Sequence, residues 1–432
     1  MTMHRIAISL CVALAAALVT VLPARAVEPP AAALPDDLDA LSLADKAPLP
    51  TQPPAQAWRV FVEAAGGQGG LRGSDEQVGT TRASFDARFD AALAAGLRGV
   101  FSDRLDLVHS NGVPRGRDVN TLREAYLSWA RTDDQIIDFG RVNVRHGAAT
   151  GFNPTDWFKE GALRSVVSPD PLMLRENRQG SVLLQGQKLW DVGSVTAAFS
   201  PKLGSAPDTA TFALNAGATN PRNRWLLAGS YKFTDKLNPE LLLYGGADTP
   251  TQWGLNLSAL ISDATVVFGE FSTGKGRSLT AQALGLPEVE RSQRRAALGL
   301  TYTTGFNLTV TAEAEYNSAA PDREQWNVLS AADPAGPLRL LAITQVQQDL
   351  PVRSALFVHA TWKDALLRRL DVSGFLRRDL QTRSQVQWLE ARYHWERVDL
   401  ALQWLLYSGS AGSVYGTAPQ RRSVELVLRA YL

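Results

Sequence analysis

Residues 306–316 read FNLTVTAEAEY, from Phe306 to Tyr316. Phe306, Leu308, Val310, Ala312, Ala314 and Tyr316 alternate with Asn307, Thr309, Thr311, Glu313 and Glu315. Strict period-two alternation places one set on each face of a strand. A soluble sheet would have one dry face and one wet one. The apolar set here could equally look into lipid, and the rest of the chain decides between the two.

The same unit recurs from Trp58 to the last residue: about ten alternating residues, then a turn or loop. TQWGLNLSALI sets Trp253, Leu255, Leu257, Ala259 and Ile261 on one side. RVDLALQWLLY does the same with Val398, Leu400, Leu402, Trp404 and Leu406. TRASFDARFD opposes Ala83, Phe85, Ala87 and Phe89 to Ser84, Asp86, Arg88 and Asp90. About ten residues is the length of a tilted strand crossing a bilayer, and nothing after residue 26 approaches the ~18 consecutive apolar residues of a membrane helix. Only helices and closed barrels satisfy every backbone group in hydrocarbon.

The N-terminus fits an exported chain. His4 and Arg5 precede an apolar run from Ile6 to Leu22, and Ala24-Arg25-Ala26 forms an A-x-A site, so residues 1–26 read as a cleaved signal peptide. The one cysteine, Cys11, lies inside it, and the mature chain is expected to hold no disulfide. Without Arg5 and Arg25, the 44 basic and 43 acidic residues become 42 and 43, about −1, a balance that argues against nucleic acid as a partner. Residues 27–57 are rich in Pro and Ala and read as a periplasmic linker. Within it, LPDDLDALSLADKA could form one short helix, read mainly as a spacer and secondarily as a docking segment for a periplasmic partner. The expected organisation is signal peptide 1–26, linker 27–57 and barrel 58–432.

Parity sets the strand count, because bacterial barrels have an even number, with short periplasmic turns and longer outer loops. Nineteen stretches qualify at first, and long and short connections fall out of phase at TFALNAG, Thr211 to Gly217. Assigning that stretch to an outer loop from Pro201 to Asn223 restores the phase and leaves eighteen, with sixteen and twenty as the neighbouring even counts. The expected fold is all-β, a transmembrane antiparallel up-and-down barrel with a short helix in one long outer loop. Trp58, Trp129, Trp190, Trp225, Trp253, Trp362, Trp395 and Tyr431 lie near strand ends, where girdle residues sit. Leader, alternating strands and an amphipathic last strand (Val424, Leu426, Leu428, Ala430, Leu432) together resemble Gram-negative outer-membrane porin-type barrels. The chain departs from that family's usual aromatic ending by finishing Tyr431-Leu432. The resemblance implies an outer-membrane location, lipid and the barrel-assembly machinery as partners, and an aqueous lumen passing small polar or anionic solutes.

Inward positions carry charges of both signs: Asp86, Arg88, Asp90, Arg295, Glu313, Glu315, Arg369, Asp371, Arg377, Glu390, Arg392 and Arg429. These either set up a transverse field or brace the wall as an ion-pair lattice. The loop from His146 reads HGAATGFNPTDWFKEGALRSVVSPDPLMLRENRQ. Its length, helix start at Asn153–Asp156 and arginines suit a loop folding into the pore or capping it from outside. With Val142 and Val144 assigned to lipid, Arg141, Asn143 and Arg145 face inward and join Arg164, Arg175 and Arg178 as a candidate constriction that concentrates anions. A second loop, Asn317 to Arg353, is expected to cover the mouth as a lid or short hairpin.

Other chemistry finds little support. GEFSTGKG lacks the Ser/Thr that would hold magnesium, and no helix is expected after it. GGQGGLRG, Gly66 to Gly73, reads as a flexible outer loop. His109, His146, His359 and His394 are scattered, which argues against a metal site. No cofactor and no catalytic constellation is expected. The competing classes are a barrel serving an export or surface-assembly complex, which bilayer conductance would separate from an open channel, and an outer-membrane enzyme, for which His146 beside Arg145 is the only tempting base.

Overall fold

The computed structural model describes residues 57–111, 118–287 and 290–432, so the leader and nearly all of the linker lie outside the described residues. Eighteen strands form one sheet. They are β1 Trp58–Leu71, β2 Gln77–Ala94, β3 Leu97–Ser110, β4 Val119–Thr132, β5 Gln135–Val142 and β6 Ser181–Trp190. Next come β7 Gly193–Ser200, β8 Arg224–Tyr231, β9 Glu240–Gly246, β10 Thr249–Ser262, β11 Thr265–Gly276 and β12 Arg291–Thr303. The last are β13 Leu308–Asn317, β14 Ser354–Trp362, β15 Leu370–Asp379, β16 Gln385–His394, β17 Val398–Ser408 and β18 Gln420–Tyr431. Each pairs antiparallel with its sequence neighbours, and β1 also pairs with β18, which closes the ring and leaves no free edge.

Alternation sorts the two faces as the sequence indicated. On β13, Thr311, Glu313, Glu315 and Asn317 are buried while Ala314 and Tyr316 are exposed. On β2, buried Ser84 and Asp86 flank exposed Phe85, and Phe89 is exposed on the same side as Phe85. Trp253, Leu257 and Ile261 of β10 and Leu402 and Trp404 of β17 stand out from the wall. A barrel whose outer surface is leucine, phenylalanine and tryptophan is built for hydrocarbon, since a water-soluble surface seldom exposes so large an apolar belt.

The tight connections at Asp133-Asp134, Asp191-Val192 and Asp263-Ala264 all lie at the end of the barrel that holds Trp58 and Tyr431, and the long ones at the other. TFALNAG is not a strand: it sits in the connection 201–223, just before and into helix α2 (Ala216–Thr219), where α1 is Pro171–Glu176 in the earlier loop. Gly66 to Gly70 are not a loop. They continue β1, paired on one side with Thr81 to Gln77 and on the other with Leu426 to Arg422. Two paired edges hold these glycines in extended form, and a Cβ at Gly67 would strike the Val424 carbonyl.

Of the two forms expected for the loop Asn317 to Arg353, lid or hairpin, the hairpin is absent and helices stand in its place. α3 (Leu279–Leu284), α4 (Arg323–Ala332) and α5 (Gly336–Gln347) pack Leu279, Trp326, Leu329, Leu340, Leu350 and Val352 into a buried cluster. Asp322 and Gln325 form a capping box that starts α4. A helix thus does follow GEFSTGKG, yet Gly274 and Lys275 are paired with Gln293 and Ser292 of β12, so that stretch is wall and not a phosphate cradle. Tyr431, expected in the girdle, points inward: its hydroxyl donates to Asp399 at 2.9 Å and its ring meets Phe61. It has the opposite parity to Val424, Leu426 and Leu432, which are exposed.

Depth should grade the response to charge on the outer face. Leu257 lies near the middle of β10, whereas Val310 is two residues from Leu308, which pairs with the girdle residue Trp362. Leu257→Arg should cost about 2–4 kcal/mol and Val310→Arg about 0–1 kcal/mol, measured by reversible urea unfolding in lipid vesicles. Equal costs would show that the bilayer midplane does not run through Leu257.

Candidate functional site

β5 has only eight residues, and after Val142 the chain leaves the wall and enters the lumen. Val142 and Val144, expected to face lipid, are instead buried with Phe158, Leu183, Leu226, Leu242 and Tyr244 on the inner wall. Phe139, 64% exposed, marks the outward parity of β5, so Arg141 shares the outward side and Val142 the inward one. Trp157 stacks on Tyr244 at 5.1 Å and donates its indole N–H to Gln252 at 2.8 Å. The loop 143–180 therefore folds inward because its apolar residues have an apolar patch inside the barrel to cover.

Carboxylates on the facing wall hold its backbone. Glu270 of β11 accepts from Ala149 N–H at 2.6 Å, and Glu313 of β13 accepts from Thr150 and Gly151 N–H at 2.5 and 3.0 Å. Gly147, at φ +86°, and Gly151 make the approach feasible, since a Cβ at either would run into the Glu270 or Glu315 carboxylate. Deeper in the loop, Asp156 pairs with Arg178, whose Nε donates to Gln348 at 2.8 Å. Burial alone would raise the Asp156 carboxyl; Arg178, with Arg175 and Lys159 behind it, holds it below the usual carboxylate range. Burial pushes the Lys159 ammonium down to about 8.

The far end reaches the opposite side of the barrel. Asp170 caps α1 by accepting from Leu172 N–H at 3.1 Å and lies 3.4 Å from His359 of β14. Glu176 pairs with Arg59 of β1 at 3.0 Å, and Asn177 accepts from Arg123 of β4 at 3.1 Å. The loop thus spans the lumen from β11–β13 to β1–β4. Beyond α1 remains a cavity of about 170 Å³, bordered by Leu172 and Met173 of the helix and by Phe61, Trp388, Glu390 and Arg429 of the wall. That volume is far above the ~10–15 Å³ one water needs.

Its wall is a lattice of alternating charge. Glu63 is held by Arg82, by Arg104 at 2.9 Å and by Arg429 at 2.9 Å. Asp86 is held by Arg123 at 2.7 Å and Arg104 at 3.5 Å. Arg392 binds Glu390 through two nitrogens at 2.8 and 3.0 Å. The Trp388 indole N–H is buried and has no acceptor among the described residues. Glu63, Arg82, Arg104 and Glu270 all occupy inward parity and were readable by alternation. Arg123 was not, because β4 carries a bulge opposite Ser102 and Asp103.

The sequence-derived candidates fall into three groups. Asp86, Arg88, Glu313 and Glu315 stand on the inner wall: Arg88 lies 3.5 Å from both Asp90 and Glu124, and Glu315 is 3.0 Å from Arg377. Asn143, Arg145, Arg175 and Arg178 belong to the inserted loop. Asn143 donates to the Arg175 carbonyl at 3.0 Å, and Arg175 donates to the carbonyls of His146, Gly147 and Ala149. Arg145 is exposed, between Val144 on the inner apolar patch and His146, which lies 3.6 Å from Glu240 of β9. Arg141 of β5 does not join them, nor does Arg164, although Arg164 lies in the same loop; both donate to carbonyls at the outer rim. Among the described residues no group of His, Cys, Asp and Glu is arranged to hold a metal ion.

A closed eighteen-strand barrel with a loop folded across its lumen defines a porin-type β-barrel. Solved structures share the architecture. The chain matches OccAB1 of Acinetobacter baumannii with a TM-score of 0.55 at 10% identity, over 87% of this chain and 96% of that one. A BenF-like porin from Pseudomonas fluorescens matches at 0.54 and 10%, over 87% and 98%. OccK2 of Pseudomonas aeruginosa, solved with glucuronate, matches at 0.52 and 10%, over 87% and 97%. No family model matches the sequence, and no curated protein does.

If Glu270 and Glu313 pin the loop, neutralising both should free it. Glu270→Gln with Glu313→Gln should leave the barrel heat-modifiable on gels and raise single-channel conductance in planar bilayers at least twofold. Unaltered conductance would mean that the apolar patch alone holds the loop in place.

Proposed function

We propose that the protein is an outer-membrane channel of a Gram-negative bacterium that passes small polar or anionic solutes, exported by a leader at residues 1–26 and followed by a periplasmic linker at 27–57. The observation that carries this reading is the inserted loop, which crosses an eighteen-strand lumen and leaves beside it a cavity lined by guanidinium and carboxylate groups alike. A barrel of this size has room for an aqueous channel. The wall arginines Arg82, Arg104 and Arg429 are matched by Glu63. Of the loop arginines, Arg175 donates to the carbonyls of His146, Gly147 and Ala149 and has the carboxylates of Asp156 and Glu270 near it, whereas Arg145 is exposed. Arg145 is therefore the loop guanidinium best placed to attract the carboxylate or phosphate of a solute. The solved relative with glucuronate supports the choice of a small carboxylate as the first solute to try.

Liposome swelling with neutral sugars and with glucuronate tests the channel, and reversal potentials in a salt gradient test its sign. Wild type should favour anions. Arg145→Glu should shift the permeability ratio toward cations several-fold, whereas Arg141→Glu should leave it unchanged or prevent assembly. A barrel that conducts only after a periplasmic partner is added would replace the channel by an export role.

A further inference from the structure

β4 continues outward to Val119, while its neighbour β5 stops at Val142, level with the middle of β4. The outer part of β4 therefore loses its strand partner on that side. Gly180 N–H donates to the Arg123 carbonyl and Asn120 N–H donates to the Thr211 carbonyl, both at 2.8 Å. The gap in the wall is filled by chain that is not strand. Two arginines serve the carbonyls this leaves over. Arg164 donates to the carbonyls of Asn120 at 2.7 Å, Ala210 at 2.8 Å and Ala213. Arg141 donates to the carbonyl of Leu214 at 2.8 Å, to that of Gly180 and to the Thr219 hydroxyl. On the next strand, the Asn220 amide bonds both backbone groups of Val182, at 2.8 and 3.0 Å, as a neighbouring strand would.

The position of this patch is set by Arg141. It pairs with Ala125 and Val182, two residues above the row Leu127–Phe139–Leu184, all of whose members are exposed on the outer face. Two residues of strand are about 7 Å. Arg141 has outward parity yet is only 4% exposed, because the loop covers it. On the same stretch Phe212 and Leu214 are 71% and 63% exposed. Bulky apolar residues at period two, next to a row of lipid-facing ones, continue that row. Backbone in contact with hydrocarbon needs every carbonyl satisfied, and a dense supply of guanidinium donors does that where ladder bonds are missing.

We propose that residues 210–214 are a non-strand section of the barrel's lipid-facing wall, with Phe212 and Leu214 seated among the acyl chains of the outer leaflet and Arg141 and Arg164 bonding the carbonyls behind them. This rests on the membrane-barrel reading, so the test carries its own control for it. In a Cys11→Ser background, single cysteines at Phe212, Leu214, Leu257 (barrel belt) and Val328 (exposed on the outer cap) take a nitroxide label in phosphatidylcholine vesicles. Collision with oxygen reports lipid and collision with a polar nickel complex reports water. The oxygen-to-nickel ratio at 212 and 214 should resemble that at 257 and exceed that at 328 several-fold. A ratio at 212 and 214 equal to that at 328, with 257 still in lipid, overturns the wall patch alone; water at 257 overturns the barrel reading with it. Spin–spin broadening at 212 that disappears on dilution with unlabelled protein would assign the patch to a second copy and also overturn the proposal. Arg141→Ala should raise nickel access at 214 at least twofold, and unchanged access would remove the role given to Arg141.

Discussion

A backbone that crosses hydrocarbon has no water to bond, so each N–H and C=O must find a partner within the protein. Ring closure through β1 and β18 meets that demand for the whole wall. The same demand explains the exceptions. Where β5 ends early, Gly180, Thr211 and two arginines supply the missing bonds, and where β7 ends, Asn220 does. The cost of an unbonded carbonyl in lipid is several kcal/mol, which is enough to dedicate charged side chains to a task that a neighbouring strand performs elsewhere.

The early end of β5 is also what builds the inside of the molecule. Chain released at Val142 carries Trp157 and Phe158 onto an inner apolar patch and brings the N–H groups of Ala149 to Gly151 against Glu270 and Glu313. One interruption in the wall thus yields both the loop inserted into the lumen and the non-strand bonding beside the outer part of β4. Inside the lumen, charge has two uses that composition does not separate. The lattice around Glu63 and Asp86 is internally matched, and breaking a buried pair leaves one charge uncompensated at a cost of about 3–5 kcal/mol; it stiffens the wall. Arg145, on the inserted loop, is exposed instead.

Closed-barrel architecture was legible because lipid on one side and water on the other impose a period of two on every strand. FNLTVTAEAEY therefore showed its faces, and the in/out order of Phe85, Asp86, Glu313 and Glu315 followed. Strand count was legible from the alternation of short and long connections, which identified TFALNAG as the odd member. That stretch looked like a strand because Phe212 and Leu214 obey period two, although backbone pairing there is replaced by side-chain donors.

What the sequence alone did not determine was register where period two breaks. Val142 and Val144 are β-branched and apolar, and so suit a lipid face as well as an inner apolar patch; only the partners of β5 decide between them. An error of one residue there exchanged the roles of Arg141 and Val142, since adjacent residues on a strand face opposite ways. The fate of each arginine was equally beyond a linear reading. Whether a guanidinium meets a carboxylate, a carbonyl or open lumen depends on strands and loops up to hundreds of residues away, as Arg429 on Glu63 and Arg178 on Gln348 show. Alternation determines which side of a wall a residue takes. Closure of the barrel, and the loop folded through it, decide what that residue meets there.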